Sequence, residues 1–155
     1  MCRRTQPPYN VRMNEPCSGP PPFAVAGVMV DAVAAHDFTA IAAVLEEEAT
    51  LSALLPRGFD EWHGPVAICG AFEKWFGDVD HFEVAEASVG QVGELLQLRW
   101  RVRVQGGPRF AGATKVVEQH LYASTNPSGR IDRMRLLCSG FCDEHPDDTP
   151  KEHTT

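Results

Sequence analysis

The segment at residues 94–104, ELLQLRWRVRV, constrains the fold more than any other part of the chain. Its side chains alternate between an apolar set and a mostly polar set. The apolar set is Leu96, Leu98, Trp100, Val102 and Val104, and the opposite set is Leu95, Gln97, Arg99, Arg101 and Arg103. Alternation with a period of two is typical of a β-strand that buries one face. The chain is therefore expected to build a sheet with one apolar face, and that face needs a covering layer.

Before residue 77 the apolar residues recur at helical spacing, which predicts three helices. The first covers residues 24–36, and its apolar stripe is Val25, Val28, Met29, Ala32 and Val33. We expect Asp37 to cap a short second helix from Phe38 to Leu45, with residues 46–48 as its solvated end. Pro65 begins the third helix at the position that proline favours. The apolar face of this helix is Val66, Ile68 or Cys69, Phe72, Trp75 and Phe76.

The remaining segments predict strands and turns. Residues 49–56 predict a short strand that ends at Pro56, and residues 57–64 predict a loop. Four longer strands follow at residues 81–90, 94–104, 114–124 and 130–141, joined by hairpins. In the first of these the apolar phase slips after Val84, which predicts a bulge. The order of elements predicts an α+β fold, in which a curved antiparallel sheet packs on three N-terminal helices as a cone around a cavity.

Composition excludes several classes of function. The chain has 155 residues, 43% of them hydrophobic, and a formal net charge of −7. No apolar run approaches the roughly 18 residues that a membrane helix needs. Because nucleic-acid binding depends on clustered Lys and Arg, the acidic balance argues against a nucleic-acid partner. Residues 1–22, which hold six of the twelve prolines, form a predicted disordered leader, and residues 143–155 form a predicted acidic tail. The folded domain is expected at residues 23–142.

The cysteines indicate the cellular compartment. There are five, an odd number, and no export signal precedes them, so a reduced cytoplasmic location is predicted. Cys138, Cys142 and His145 lie near one another in the sequence, but their spacing is not that of a zinc knuckle. We therefore expect small structural cysteines, no metal site and no cofactor.

Two short segments resemble a known superfamily. The run HDFTAIAAVL at residues 36–45 and the run WHGPVAICGAFEKWF at residues 62–76 are similar to helical motifs of the nuclear transport factor 2-like superfamily. The last hairpin, with EQHL at 118–121 and GRI at 129–131, resembles the closing strands of its SnoaL-like polyketide-cyclase branch. The resemblance implies a cone-shaped α+β domain that holds a small hydrophobic molecule, and a homodimer. Because the superfamily contains both enzymes and non-catalytic modules, it does not fix the function.

The chain departs from the catalytic patterns of three branches of that superfamily. The cyclase pattern pairs a histidine with an aspartate on the last strand; His120 lies near the first position, whereas Leu136 occupies the second. The tyrosine and aspartate of the ketosteroid-isomerase pattern correspond to Met29 and Leu55. The Arg-x-Asp of the limonene epoxide hydrolase pattern corresponds to residues 99–101, where Arg101 replaces the acid.

One constellation could still support acid–base chemistry. Glu118, His120 and Tyr122 alternate along one strand and therefore share a face. If this trio lines the cone, His120 would be the base or acid, Glu118 would orient it, and Tyr122 would donate to a developing oxyanion. If Val117 and Leu121 face the core instead, the trio lies on the outer face and Glu118 pairs with an arginine of the neighbouring strand. Both arrangements are compatible with the sequence.

Two function hypotheses follow. The first is a cofactor-free acid–base enzyme of the cyclase, isomerase or hydrolase type, and the alternative is a non-catalytic module for ligand binding or dimerisation. The residues expected to contact a hydrophobic ligand are Trp100, Phe72, Phe76, Met29, Leu98 and Leu136. The arginines of the outer sheet face favour either a dimer interface or a salt-bridged surface.

Overall fold

The structure is a computed structural model that describes residues 22–144. It contains two α-helices, one 3₁₀-helix and seven strands within that range. The helices are α1 (Pro22–Ala34), the 3₁₀-helix (Phe38–Val44) and α2 (Pro65–Phe76). The strands are β1 (Leu45–Leu55), β2 (Gly58–His63), β3 (His81–Val92), β4 (Leu95–Gln105), β5 (Thr114–Thr125), β6 (Ile131–Cys138) and β7 (Cys142–Asp143).

The strands form one curled mixed sheet in the order β2-β1-β6-β5-β4-β3, and β7 pairs with β5. Every pairing is antiparallel except that of β1 with β6, which is parallel. The predicted α+β fold is confirmed. The expectation of a purely antiparallel sheet is corrected at one pairing, because β1 precedes α2 and β3–β5 and meets β6 only after that long excursion.

The sheet has an inner face, which the helices cover, and an outer face. On β4 the inner residues are buried and the outer ones are only partly buried, as the alternation in the sequence predicts. The register of β4 with β5 and of β5 with β6 continues the inner face through Leu121 and Leu136. Met29 of α1 and Phe72 of α2 complete the same buried cluster from the helical layer. The core thus lies between the sheet and the helices.

The region before α2 differs from its prediction in three ways. The side chain of Asp37 makes no capping hydrogen bond to the 3₁₀-helix, contrary to the prediction. Residues 46–48 belong to β1 rather than to the end of the second helix, and residues 58–63 form β2 rather than a loop. Leu55 pairs with Gly58, so the hairpin turn is short, and Gly58 has the positive φ of 128° that such a turn uses. Because β2 is an edge strand with largely exposed side chains, it carries no apolar alternation that the sequence could reveal.

Two other local predictions are confirmed. The register of β3 with β4 shifts between Val84 and Glu86, as the slip in apolar phase predicts. Pro65 occupies the first turn of α2.

The predicted leader and tail lie outside the described residues, apart from Pro22, Asp143 and Glu144. Within residues 22–144, no helix combines the length and the apolar character that crossing a bilayer requires.

Two side chains from distant segments hold the C-terminal end of α2. His36 Nε2 lies 2.7 Å from the carbonyl oxygen of Phe76, and the imidazole stacks on Phe82 with ring centroids 4.6 Å apart. Arg109 Nη2 donates to the carbonyl oxygen of Trp75 at 2.6 Å and to Asp78 Oδ1 at 2.8 Å. Helix C-termini have carbonyls without partners in the helix, and basic side chains satisfy them well. These two contacts therefore fix α2 against both the turn that follows α1 and the β4–β5 loop.

We predict that His36→Asn lowers the free energy of unfolding by about 1–2 kcal/mol, because it removes the contact with the end of α2. Asparagine tolerates the left-handed backbone of residue 36, whose φ is 56°, so the change tests the side chain rather than backbone strain. Urea unfolding measures the difference. The control Asp31→Asn, at an exposed position on α1, should change stability by less than about 0.5 kcal/mol. Equal effects of the two variants would contradict the prediction.

Candidate functional site

The six residues expected to contact a ligand are packed inside the protein. Met29, Phe72, Phe76, Leu98 and Trp100 each have 0% of their surface exposed, and Leu136 has 4%. A side chain with no surface accessible to a water-sized sphere borders neither solvent nor a void large enough for a water molecule. In this conformation these side chains fill the interior, so a ligand would have to displace them.

The interior holds one fully buried polar side chain within the described residues, that of Gln119, which is 1% exposed. Its Oε1 accepts a hydrogen bond from Trp100 Nε1 at 2.7 Å, and its Nε2 lies 3.5 Å from Cys138 Sγ. Buried polar groups must be paired to be tolerated, and both ends of this amide are paired. Gln119 therefore anchors the indole of Trp100 through one end of its amide and contacts Cys138 through the other.

The positions of the three acid–base patterns carry no acid in the structure. Leu136 is buried in the core, Leu55 packs against it, and Arg101 lies on the outer side of β4. Among the described residues, the thiol of Cys69 is the one ionisable side chain in the buried core, and burial raises its pKa above the ordinary value, which keeps the thiol protonated and unreactive. Within residues 22–144, the buried core thus contains no carboxylate.

The trio expected to carry catalysis lies on the outer face of the sheet. Its neighbours along β5, Val117 and Leu121, are the buried residues, so the structure has the second of the two arrangements that the sequence left open. Glu118 Oε1 accepts a hydrogen bond from Arg99 Nε at 2.8 Å, across the β4–β5 pairing. His120 Nε2 lies 2.9 Å from the same oxygen. Tyr122 does not join this group; its hydroxyl is 3.5 Å from Gln97 Nε2.

Electrostatics on this face follow from the pairing. The hydrogen bonds from Arg99 and His120 hold the pKa of Glu118 below its ordinary value of 4.5, and the carboxylate in turn raises the pKa of Arg99. Arg103 makes a similar network with Glu144 at 2.6 Å and Glu83 at 3.2 Å. The arginines of β4 are therefore largely neutralised within the chain. By contrast, Arg133 and Arg135 of β6 are exposed and have no polar partner among the described residues.

Three exposed apolar side chains form a row across the outer face, which we call the apolar row. Phe59 on β2, Leu54 on β1 and Leu137 on β6 are partners in the sheet register. They are 67%, 53% and 54% exposed. Contiguous exposed apolar surface on a soluble protein marks an interaction site. Sequence reasoning missed the row because its members come from three strands, and the register that joins them depends on the unpredicted β2 and on the parallel β1–β6 pairing.

The remaining candidate residues are Asp31, His63 and the two C-terminal cysteines, and they do not form a common site. Asp31 lies exposed on α1, and His63 Nε2 is 3.1 Å from Glu61 Oε1 on the exposed edge strand. Cys138 and Cys142 are free thiols, and His145 lies outside the described residues. Across residues 22–144, no group of three or more His, Cys, Asp or Glu side chains is arranged to hold a metal ion.

Comparisons with known proteins identify the fold. A cystatin-fold protein of uncharacterised function from Novosphingobium aromaticivorans is 18% identical, with a TM-score of 0.61 over 76% of this chain and 98% of that one. A candidate polyketide cyclase from Pseudomonas putida is 19% identical, with a TM-score of 0.60 over 76% of this chain and 91% of that one. A candidate SnoaL-like polyketide cyclase from Shewanella putrefaciens is 13% identical, with a TM-score of 0.60 over 77% and 90%.

The chain therefore has the nuclear transport factor 2-like fold, in the cystatin-like form of the SnoaL-like proteins. At such identities the likeness concerns the fold and not the chemistry. No protein-family model matches the sequence, and no curated protein matches it either. The fold that the motifs at residues 36–45 and 62–76 imply is confirmed.

We predict that Trp100 and Gln119 are energetically coupled. Trp100→Phe leaves the amide oxygen of Gln119 without its donor, and Gln119→Leu leaves the indole N–H without its acceptor, so each change should destabilise the protein by about 1–3 kcal/mol. The double variant should cost about 1 kcal/mol less than the sum of the two, because it leaves neither group unpaired. Urea unfolding of the four proteins measures the coupling, and strict additivity would contradict it.

We predict that the stabilising effect of Glu118 disappears in acid. Because its pKa is lower in the folded chain than in the unfolded chain, its contribution is present above about pH 4.5 and is lost as the pH falls through the lowered pKa. Glu118→Gln should cost about 0.5–1 kcal/mol at pH 7, since the pair is partly exposed, and almost nothing near pH 2. Glu94→Gln, an exposed change in the β3–β4 turn, should show no such trend. A cost for Glu118→Gln that stays constant with pH would refute the assignment.

Proposed function

We propose that this chain is a non-catalytic member of its fold class that works by self-association, as a homodimer joined through the outer face of the sheet. The observation that carries the proposal is the apolar row. Leu54 and Leu137 are register partners near the C-terminal ends of β1 and β6, are each more than half exposed, and have no covering element among the described residues. A second sheet packed face to face at about 10 Å would remove them from water.

The closed interior supports the non-catalytic part of the proposal. A catalytic base must reach the proton that it removes, and it usually lies in a concave site. The inner face offers tightly packed apolar side chains and one amide that is already paired. The polar groups that could act chemically lie on the outer face, where two strands hold them in ion pairs.

A second candidate is a cofactor-free acid–base enzyme of the cyclase or isomerase type, which the Glu118–His120 contact favours. The carboxylate oxygen lies 2.9 Å from His120 Nε2 and so fixes the imidazole orientation. The other ring nitrogen, Nδ1, could then exchange a proton with a bound carbonyl compound. Arg99, which shares the carboxylate, competes with His120 for it and weakens this reading.

Deuterium exchange separates the two candidates. The protein is incubated in D2O with enolisable 1,3-diketones and aryl ketones, and loss of the α-proton signal is followed by NMR. We expect exchange at the rate of the buffer alone. Exchange that saturates with substrate and is lost in His120→Ala, while Asp31→Asn retains it, would establish the enzyme instead.

Assembly is tested on the apolar row itself. Sedimentation velocity of the full chain should show a dimer that Leu137→Glu converts to monomer, because the change places a charge in an apolar contact. Val66→Glu is the matched control, since Val66 is an apolar residue with 90% exposure on α2, away from the sheet face. A monomeric wild-type protein, or equal effects of the two variants, would contradict the proposal.

A further inference from the structure

We infer that the two copies meet about a two-fold axis parallel to β1, so that β2 of one subunit lies over β6 of the other, and that Glu61 pairs with Arg135 of the partner subunit. The inference rests on the proposed homodimer and specifies its geometry. It follows from the order of side chains on the outer face, which the sheet register determines.

The outer face near β1 consists of three rows that run across β2, β1 and β6. The first is the apolar row, Phe59–Leu54–Leu137. The second row is Glu61–Ser52–Arg135, and the third row is His63–Thr50–Arg133. In each row the residue on β1 is flanked by β2 on one side and β6 on the other, at about 4.8 Å per strand.

A two-fold axis that lies between the sheets and runs along β1 reverses the strand order but keeps each row opposite itself. In the first row Phe59 then faces Leu137 of the partner subunit, and the two copies of Leu54 face each other. In the second row Glu61 faces the partner's Arg135, and small Ser52 faces its own copy. Apolar groups meet apolar groups, and an acid meets a base.

In the third row Thr50 faces its own copy, and His63 faces Arg133 of the partner subunit. An unprotonated imidazole nitrogen accepts a hydrogen bond from a guanidinium, so this contact is compatible with the others. Every side chain of the three rows therefore acquires a chemically matched neighbour under this one operation.

Shifting the axis from β1 to β6 or to β5 loses this match. An axis along β6 would place Arg135 over the partner's Arg135 and Arg133 over the partner's Arg133, and two such like-charge contacts are unfavourable. An axis along β5 would place Arg99, already bound to Glu118, over the apolar Leu137 of the partner subunit. Of these three positions, the axis along β1 is the one that places opposite charges over each other and apolar side chains over apolar side chains.

Arg135 and Glu61 are both exposed and available for a contact with the partner subunit. Arg135 is exposed and has no polar partner among the described residues, so its guanidinium can donate to a carboxylate of another subunit. Glu61 has an exposed contact with His63 at 3.1 Å, and its side chain is 42% exposed. Burial between two sheets would strengthen an ion pair between these groups, which occurs twice in a symmetric dimer.

A charge exchange tests the pairing. Sedimentation equilibrium is measured for the full-length wild type, Glu61→Arg, Arg135→Glu and the double variant, with Glu94→Arg as an exposed control outside the rows. We expect each single variant to weaken the dimer by at least tenfold and the double variant to return to within about threefold of wild type, because it restores both ion pairs in reversed orientation. The control should leave the dissociation constant unchanged.

The outcomes distinguish this inference from the proposed function. If the wild type is a dimer that Leu137→Glu disrupts but the single charge variants leave intact, the axis assigned here is wrong and the dimerising function stands. Additive weakening in the double variant would overturn the axis in the same way. A wild type that is monomeric throughout would overturn both.

Discussion

The packing of Trp100 and its neighbours between the sheet and α2 is the constraint on which the rest of the structure depends. The strict alternation of β4 turns one face of the sheet apolar, and α1, α2 and the 3₁₀-helix cover it. Trp100 fills the centre of this layer, and Gln119 satisfies its indole N–H. Among the described residues, the inner face is filled with apolar side chains, and the ion pairs lie on the outer face.

The outer face takes its character from the same alternation. Each inner residue of β4 and β5 forces its neighbours outward, which aligns arginines on β4 with Glu118 on β5 and produces the ion pairs with Arg99. Toward β6 and β1 the ion pairs give way to unpaired arginines and to the apolar row. On β4 and β5 the charged side chains of the outer face form ion pairs within the chain, whereas the exposed arginines of β6 have no partner among the described residues. We propose that the partner copy binds over β6, β1 and β2.

Sequence reasoning predicted the parts of this molecule whose signal is local and periodic. The α+β class, the bulge after Val84 and the first turn of α2 at Pro65 could all be read from spacing. The edge strand β2 could not, because its exposed polar side chains resemble those of a loop. The direction of the trio at residues 118–122 was open to sequence because a strand flanked by apolar residues on both faces has no single apolar phase. The apolar row depends on register between three distant strands, which no local pattern encodes.

The most direct test of the account is an isotope-filtered nuclear Overhauser experiment on a mixture of labelled and unlabelled protein, which detects only contacts between copies. A dimer joined through the outer face should give intermolecular contacts from the methyl groups of Leu54 and Leu137, the latter to the ring of Phe59, and none from the inner-face methyl groups of Leu98 and Leu121. Intermolecular contacts confined to any other surface, or their absence, would contradict the claim that the outer face is the working surface of this protein.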